Sequence, residues 1–349
     1  MVDLIYEPMF PMHSSGAEGL KKFELDATHE TPDSIGPRVN QLLDAQGAVI
    51  LNGVELTKKS DLLEWANPVG KLMDYTGGTN HRQTDQGVLN VGTEPSFANV
   101  SAHNEMSYSY RYPNIFMIGC ISPTSSGGET VVGDNEAITD DIFETHLGHK
   151  LWDHGVIYTR NFSDRNHLAS GPLGVFTTWQ DVFGTNDRHE AESIAHQTLG
   201  GRSPCTIAWS ASGNMRLSYE APAFEFDPDT GKNLLFFSIG NSGYWFRQWA
   251  PYNTMPNEDR PFHATFGDGS PFTEEDFKTM VAISNRHSFP VKWERGKVAI
   301  LRNRRFTHAR PPFVIPDGES RELGVLLLEA TSRRGIVIGQ PDAASVNLY

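Results

Sequence analysis

The first part of the chain carries apolar residues at helical spacing. Residues 36–47 repeat valine and leucine three to four positions apart and end at Gly47, which predicts a helix with a glycine C-cap. The apolar run at 48–51 predicts a short buried strand. Residues 57–66 predict a second helix, with Thr57 as its N-cap.

Beyond about residue 85 the pattern changes to short apolar segments separated by Gly, Pro, Asn and Asp, which is typical of a β-sandwich or jelly roll. The segments that we interpret as strands include 113–122, 153–160, 234–239, 297–301 and 322–330. Helical insertions are predicted at about 136–147, 187–199 and 273–287, the last beginning at Thr273 with a capping box.

The predicted fold class is therefore mainly β with α insertions. We expect one domain over 1–349. Its N-terminal α/β elements (1–85) pack on a core with helical insertions (86–330), and a C-terminal tail (331–349) follows.

Composition narrows the classes of partner. Hydrophobic residues make up 38% of the chain and charged residues 21%, and no apolar run approaches the roughly 18–20 residues of a membrane span. The net charge of −14 argues against a nucleic-acid partner, and a membrane partner is not expected either. The start of the chain lacks a secretory pattern and there are only two cysteines, Cys120 and Cys205, so we expect a cytoplasmic protein. A homo-oligomer stays open.

The segment SAHNEMSYS at 101–109 carries the first candidate chemistry. His103 and Glu105 are two residues apart, so on an extended strand both side chains point to one face. An imidazole and a carboxylate are two of the three ligands of a facial triad, which suits iron(II) with open positions. A polar strand face is the alternative for this pair.

A third ligand must come from elsewhere in the chain. His308 is the best candidate, because it follows an apolar strand in VAILRNRRFTHARPPF and precedes a Pro-Pro stop. Iron(II) held by three protein ligands leaves two positions for 2-oxoglutarate and one for O2. The far carboxylate of 2-oxoglutarate needs a planar cation, and Arg321 is placed to bind it if the next strand runs back antiparallel. A surface arginine at a turn is the alternative for Arg321. Thr130 is a candidate hydroxyl donor.

These motifs together resemble the taurine dioxygenase/clavaminate synthase-like oxygenases. The resemblance rests on the order HNEMSYS, GGETVVGD, WQDVFGTNDR, the His308 segment and Arg321, and it covers roughly residues 40–330. It implies a double-stranded β-helix (jelly-roll) core flanked by helices, with Fe(II), 2-oxoglutarate and O2 as cofactor and co-substrates. By position, it implies metal ligation by His103, Glu105 and His308, and 2-oxoglutarate contacts from Thr130 and Arg321.

The resemblance is nearest to the branch that acts on amino acids or small carboxylic acids in natural-product pathways. It implies oxidation of an unactivated C–H bond, by hydroxylation, desaturation or cyclisation, with succinate and CO2 as co-products. Many relatives carry a second arginine four residues beyond the anchor, but here that position is Val325, so the pocket is expected to rely on Arg321 alone.

Candidate substrate contacts are Asn80, Arg82, Tyr108 and Arg305. The alternative is a polar turn for Asn80 and Arg82, packing on a strand for Tyr108, and a surface position for Arg305. Two other functions stay open on the residues alone. One is an iron enzyme that activates O2 without 2-oxoglutarate, and the other is a jelly-roll binding protein without turnover. A zinc hydrolase is disfavoured because no His-Glu-x-x-His motif occurs.

Overall fold

The computed structural model describes residues 21–78, 84–92, 94–167, 178–201, 205–238, 245–248 and 250–333. Seventeen strands are defined in these residues: β1 Glu24–Asp26, β2 Ala48–Asn52, β3 Thr84–Asp85, β4 Val88–Asn90, β5 Val100–His103, β6 Arg111–Ser122, β7 Thr130–Asp134, β8 Val156–Phe162, β9 Cys205–Trp209, β10 Met215–Ala221, β11 Phe224–Asp227, β12 Lys232–Leu235, β13 Phe262–Phe266, β14 Ser288–Val291, β15 Val298–Arg302, β16 Phe306–Arg310 and β17 Glu322–Ser332. The α-helices in the same residues are α1 Pro32–Gln46, α2 Leu62–Ala66, α3 Asn135–Phe143, α4 His146–His154, α5 Trp179–Phe183, α6 Arg188–Ala195 and α7 Glu274–Arg286. The protein is mainly β with helices, as predicted.

The strands form three larger sheets and one hairpin. A seven-stranded sheet has the order β1-β2-β15-β6-β17-β4-β3, and a four-stranded sheet has the order β14-β7-β16-β5. A second four-stranded sheet has the order β13-β8-β10-β9, and β11 pairs with β12. The N-terminal strands β1 and β2 are thus hydrogen-bonded members of the largest sheet, with β2 antiparallel to β15.

Strand β6 shows how the largest sheet separates two hydrophobic clusters. Ile115 and Met117 belong to the cluster that contains Val39 of α1 and Leu62 of α2. Phe116, between them in sequence, belongs to the other cluster, which extends to the strands that carry the candidate site. Because side chains alternate along a strand, each face of the sheet packs against a different hydrophobic cluster. None of the helices in the described part of the chain is long and apolar enough to span a bilayer.

Several predicted elements are confirmed. Helix α1 ends where Gly47 adopts a left-handed conformation (φ 77°), which costs a glycine nothing. It begins earlier than predicted, because Thr31 and Ser34 form a capping box. Strand β2 matches the predicted run, and α7 begins with the predicted capping box at Thr273.

The second N-terminal helix was predicted wrongly. Only α2 is α-helical, after a 3-10 turn at Lys59–Asp61, and Thr57 does not cap it. Instead the Asp61 carboxylate accepts hydrogen bonds from the Thr57 amide and hydroxyl and from the Lys58 amide, at 2.8, 2.7 and 3.0 Å. Side-chain bonds of this kind compete with the helical ladder.

The predicted helix at 136–147 is two helices. The Thr145 hydroxyl donates to the Ile142 carbonyl at 2.6 Å and accepts from the Gly148 amide at 3.1 Å, so it closes α3 and caps α4. Because α4 continues to His154, strand β8 begins three residues later than predicted. Strand β12 is also shifted, and ends at Leu235 rather than 239.

Candidate active site

His103 and His308 face each other across two paired strands. β16 is antiparallel to β5 with His308 opposite His103, and the two ring centroids are 4.3 Å apart. The Glu105 carboxylate reaches the same point, with its Oε2 3.5 Å from Nε2 of His308. One ligand atom from each of the three residues lies within 4.8 Å of the others.

Glu105 reaches this point from a turn, so the strand-face argument for it was wrong. Strand β5 ends at His103, and Met106 next to Glu105 has a positive φ of 54°. Asn303, in the turn between β15 and β16, clasps the main chain of Glu105: its side-chain oxygen accepts from the Glu105 amide at 2.8 Å and its side-chain amide donates to the Glu105 carbonyl at 2.9 Å. Asn104 binds back to the Asn303 carbonyl at 2.7 Å.

Each imidazole is oriented by a different contact. Nδ1 of His103 lies 2.8 Å from the Ser101 carbonyl, so Nε2 is the ring nitrogen that can serve as the ligand atom. Nδ1 of His308 is buried and has no hydrogen-bond partner within the described residues. Its ring is held by stacking on Phe116, with centroids 4.1 Å apart and planes 14° apart.

The donor set fits a mononuclear ferrous ion. Two imidazoles and one carboxylate are the 2-His-1-carboxylate set of non-heme iron(II) oxygenases. Within the described residues no fourth His, Cys, Asp or Glu joins the group, so an octahedral ion would keep open positions for other ligands.

The group lines a cavity that also contains Thr130 and Arg321, both identified from the sequence. Thr130 begins β7, which pairs with β16, and its hydroxyl accepts a hydrogen bond from the indole of the buried Trp293 at 3.2 Å. The proton of the Thr130 hydroxyl is therefore free to be donated to a ligand.

Arg321 lines the cavity, but it reaches it from a different sheet than expected. β17, which follows it, does not pair with β16 but with β6 and β4 of the seven-stranded sheet. From there Arg321 donates through Nε and Nη2 to the Gly128 carbonyl, at 3.0 and 2.7 Å. A Cβ on Gly128 would lie 2.9 Å from Nε of Arg321, so this close approach requires glycine. Burial, followed by the nearby Arg310 guanidinium, lowers the pKa of Arg321 to about 10, which leaves it charged at neutral pH.

The other predicted substrate residues are not all brought together. Tyr108 lines the cavity, with its ring against Phe262 at 5.5 Å. Arg305 is not among the described lining residues: its Nε is 3.2 Å from Oε1 of Glu136, and it packs against Gly47. Asn80 and Arg82 lie outside the described residues.

The remaining walls of the cavity are mostly apolar. They include Met106, Phe116, Ile118, Trp245, Phe246 and Phe262. Three residues were missed from the sequence: Asn303, Trp293 and Arg310. Arg310 could have been found, because it lies two positions beyond His308 on the same strand. Asn303 and Trp293 carried no comparable signal.

Comparison with known families decides the assignment. A family model described as taurine catabolism dioxygenase TauD, TfdA family, matches residues 7–327. This chain belongs to the TauD/TfdA family. It is an Fe(II)- and 2-oxoglutarate-dependent dioxygenase, as the resemblance in its sequence implied. The reading as an iron enzyme that does not use 2-oxoglutarate is set aside.

Relatives of this TauD/TfdA enzyme include a clavaminate synthase-like protein from Arabidopsis thaliana, 24% identical over 283 residues, which are 80% of this chain and 81% of the relative. Similar solved structures include a taurine dioxygenase from Burkholderia xenovorans (TM-score 0.48, 14% identity, 93% of this chain and 95% of the other). PvcB from Pseudomonas aeruginosa is another (TM-score 0.45, 14% identity, 84% and 79%).

The clasp of Asn303 on Glu105 generates a prediction. Asn303→Ala removes both hydrogen bonds from the Asn303 side chain to the main chain of Glu105 in a buried turn, so we expect a loss of about 3 kcal/mol in the free energy of unfolding. Affinity for Fe(II) should fall by roughly 10–100-fold because the carboxylate is no longer held in place. Denaturant unfolding and metal titration measure the two effects. Asn40→Ala, which removes an asparagine of α1 that donates to the Pro68 carbonyl, is the control, and unchanged metal affinity in the Asn303 variant would contradict the role.

Proposed function

We propose that His103, Glu105 and His308 hold the ferrous ion of this dioxygenase, and that Thr130 and Arg321 bind the far carboxylate of 2-oxoglutarate. The observation that carries the proposal is the convergence of three ligand atoms within 4.8 Å, in a cavity that also holds a free hydroxyl donor and a guanidinium. When bound, iron(II) with 2-oxoglutarate and O2 supplies the oxidising power for C–H cleavage, and succinate and CO2 are the co-products.

The residues of the chain hold the ion and the co-substrate in place. The two imidazoles and the carboxylate would hold the ion and would leave the remaining coordination positions for co-substrate and O2. Arg321 offers Nη1, which makes no hydrogen bond within the described residues, and Thr130 offers its hydroxyl proton. The apolar walls around Phe116 and Phe246 make part of the cavity less polar than bulk water, which strengthens the charged contacts inside.

We further propose a jelly-roll core in a single domain. The sheet β14-β7-β16-β5 and strands β6 and β17 of the seven-stranded sheet contribute side chains to the same cavity. Thr130 and His308 come from the first, and Phe116 and Val325 from the second. Two sheets that enclose one ligand cavity are what a double-stranded β-helix provides.

As substrate we propose a small molecule, an amino acid or small carboxylic acid of a biosynthetic pathway, that is hydroxylated, desaturated or cyclised at an unactivated C–H bond. The similarity to a clavaminate synthase-like protein supports this class. Tyr108 is the described residue among the candidate contacts that lines the cavity. Arg305 is dropped from the set because Glu136 already neutralises it.

The metal ligands can be tested without turnover. Under anaerobic conditions, protein with iron(II) and 2-oxoglutarate should show a weak visible charge-transfer band, and His308→Ala or Glu105→Ala should abolish it. Loss of a direct ligand should weaken iron binding by more than the roughly 10–100-fold typical of its hydrogen-bond partners. His149→Ala, on the exposed side of α4, is the matched control. Survival of the band in His308→Ala would rule out the ligand set.

The orientation of Thr130 by Trp293 predicts a selective kinetic effect. Trp293→Phe removes the indole donor but keeps an aromatic ring, so the KM for 2-oxoglutarate should rise about fivefold with kcat unchanged, the equivalent of one neutral hydrogen bond. Thr130→Val should raise it at least as much, and the double variant should add little beyond Thr130→Val alone. Trp65→Phe, in the other hydrophobic cluster, is the control. Additive effects would mean that Trp293 acts independently of Thr130.

The substrate class is tested by mass spectrometry. A metabolite extract is incubated with enzyme, iron(II), ascorbate and 2-oxoglutarate, and Glu105→Ala protein serves as the blank. We expect a small molecule that gains one oxygen or loses two hydrogens in the active sample alone. Succinate formation that depends instead on added protein or peptide would refute a small-molecule substrate.

A further inference from the structure

Arg310 is a second cation in the cavity. It is the last residue of β16, two positions beyond His308, and it lines the same cavity as Thr130 and Arg321. Its guanidinium lies 5.5 Å from the ring centroid of Phe313, and that of Arg321 lies 5.4 Å from the same centroid. One aromatic ring thus holds two arginines from different sheets at one end of the cavity.

The hydrogen bonds of Arg310 hold its position without neutralising its charge. Nη1 donates to the Glu94 carbonyl at 3.3 Å, and Nη2 donates to the carbonyls of Pro95 and Ala98 at 2.7 and 2.9 Å. Nε is buried and has no partner within the described residues. Three of its five N–H donors are thus used, and Nε and one N–H of Nη1 are left for a ligand.

The two arginines that precede His308 are bound differently. Arg304 is paired with Asp227 at 3.1 Å and Arg305 with Glu136 at 3.2 Å. Arg310 and Arg321 have only main-chain carbonyls as hydrogen-bond acceptors within the described residues. Glu94 attracts Arg310 and Glu129 attracts Arg321, but the two partly buried guanidinium groups also repel each other, and an anion bound between them would relieve that repulsion.

We propose that Arg310 acts with Arg321 and Thr130 as a two-guanidinium subsite for the far carboxylate of 2-oxoglutarate. The inference rests on the proposed function of the cavity and adds to it a residue that the sequence did not suggest. It replaces the expectation that Arg321 binds this carboxylate alone. The second positive charge comes from the metal-bearing strand β16, so the same strand would position the ion and the co-substrate tail. The subsite would thereby select keto acids that carry a second carboxylate.

The test compares two keto acids that differ only at the far end. Binding of 2-oxoglutarate and of 2-oxopentanoate, in which a methyl group replaces the far carboxylate, is measured by anaerobic calorimetry on the Fe(II)-loaded enzyme. Arg310→Gln should weaken the affinity for 2-oxoglutarate about 10- to 100-fold, which is the effect of one charge-assisted contact. The affinity for 2-oxopentanoate should change by no more than about twofold. Arg310→Lys, which keeps the charge, should retain most of the preference.

Arg321→Met is the reference and Arg216→Gln, an exposed arginine on β10, is the control. Equal weakening of the binding of both keto acids by Arg310→Gln, or no weakening of either, would overturn the proposal. The first result would assign Arg310 to the structure of the 94–98 segment, and the second would show that Arg310 does not contact the co-substrate. If Arg321→Met also leaves the preference for 2-oxoglutarate over 2-oxopentanoate unchanged, the proposed role of Arg321 is wrong as well. If Arg321→Met abolishes that preference and Arg310→Gln does not, only the proposed role of Arg310 is wrong.

Discussion

The antiparallel pairing of β16 with β5 on one edge and β7 on the other is the constraint on which the candidate site depends. It sets His308 directly opposite His103, and it brings the strand that begins with Thr130 alongside. Because side chains alternate along a strand, a slip of one residue in this register would turn His308 away from His103. The sheet therefore determines the relative position of both imidazoles before any ligand is present.

The carboxylate depends on a second kind of interaction. Glu105 lies in a turn outside the strands. The side chain of Asn303 forms hydrogen bonds with the main-chain amide and carbonyl of Glu105, where a neighbouring strand would do so in a sheet. Since Asn303 also donates to the Pro113 carbonyl at 2.9 Å, one buried amide ties the turn to β6 as well as to β16. The proposed ligand set is thus held by strand pairing and by a polar clasp.

The charged end of the cavity is assembled from both sheets. Arg321 immediately precedes β17 and Arg310 ends β16, and both guanidinium groups contact the ring of Phe313. Glycine at position 128 makes room for Arg321, since any side chain there would collide with it. In a chain with a net charge of −14, this local concentration of positive charge attracts a small dianion into the cavity.

Local patterns in the sequence were sufficient for helices α1 and α7 and for strands such as β2, β6, β15 and β17, because capping residues and alternating hydrophobicity act over a few neighbours. Where they failed, at Thr57 and Thr145, a side chain formed hydrogen bonds that ended or prevented a helical turn. His308 and Arg321 could be named because the chemistry of iron and of a keto-diacid restricts which residue types are useful.

By itself the sequence determined the β-rich class, the family and the residue types that could serve a ferrous centre. Only the tertiary structure decided that Glu105 lies in a turn, that Arg321 precedes a strand of the opposite sheet, and that Arg310 lines the same cavity while Arg305 pairs with Glu136. The physical reason is that these positions depend on hydrogen bonds and ion pairs between residues more than a hundred positions apart, such as Asn303 with Glu105 and Arg321 with Gly128, and no local pattern encodes such partners.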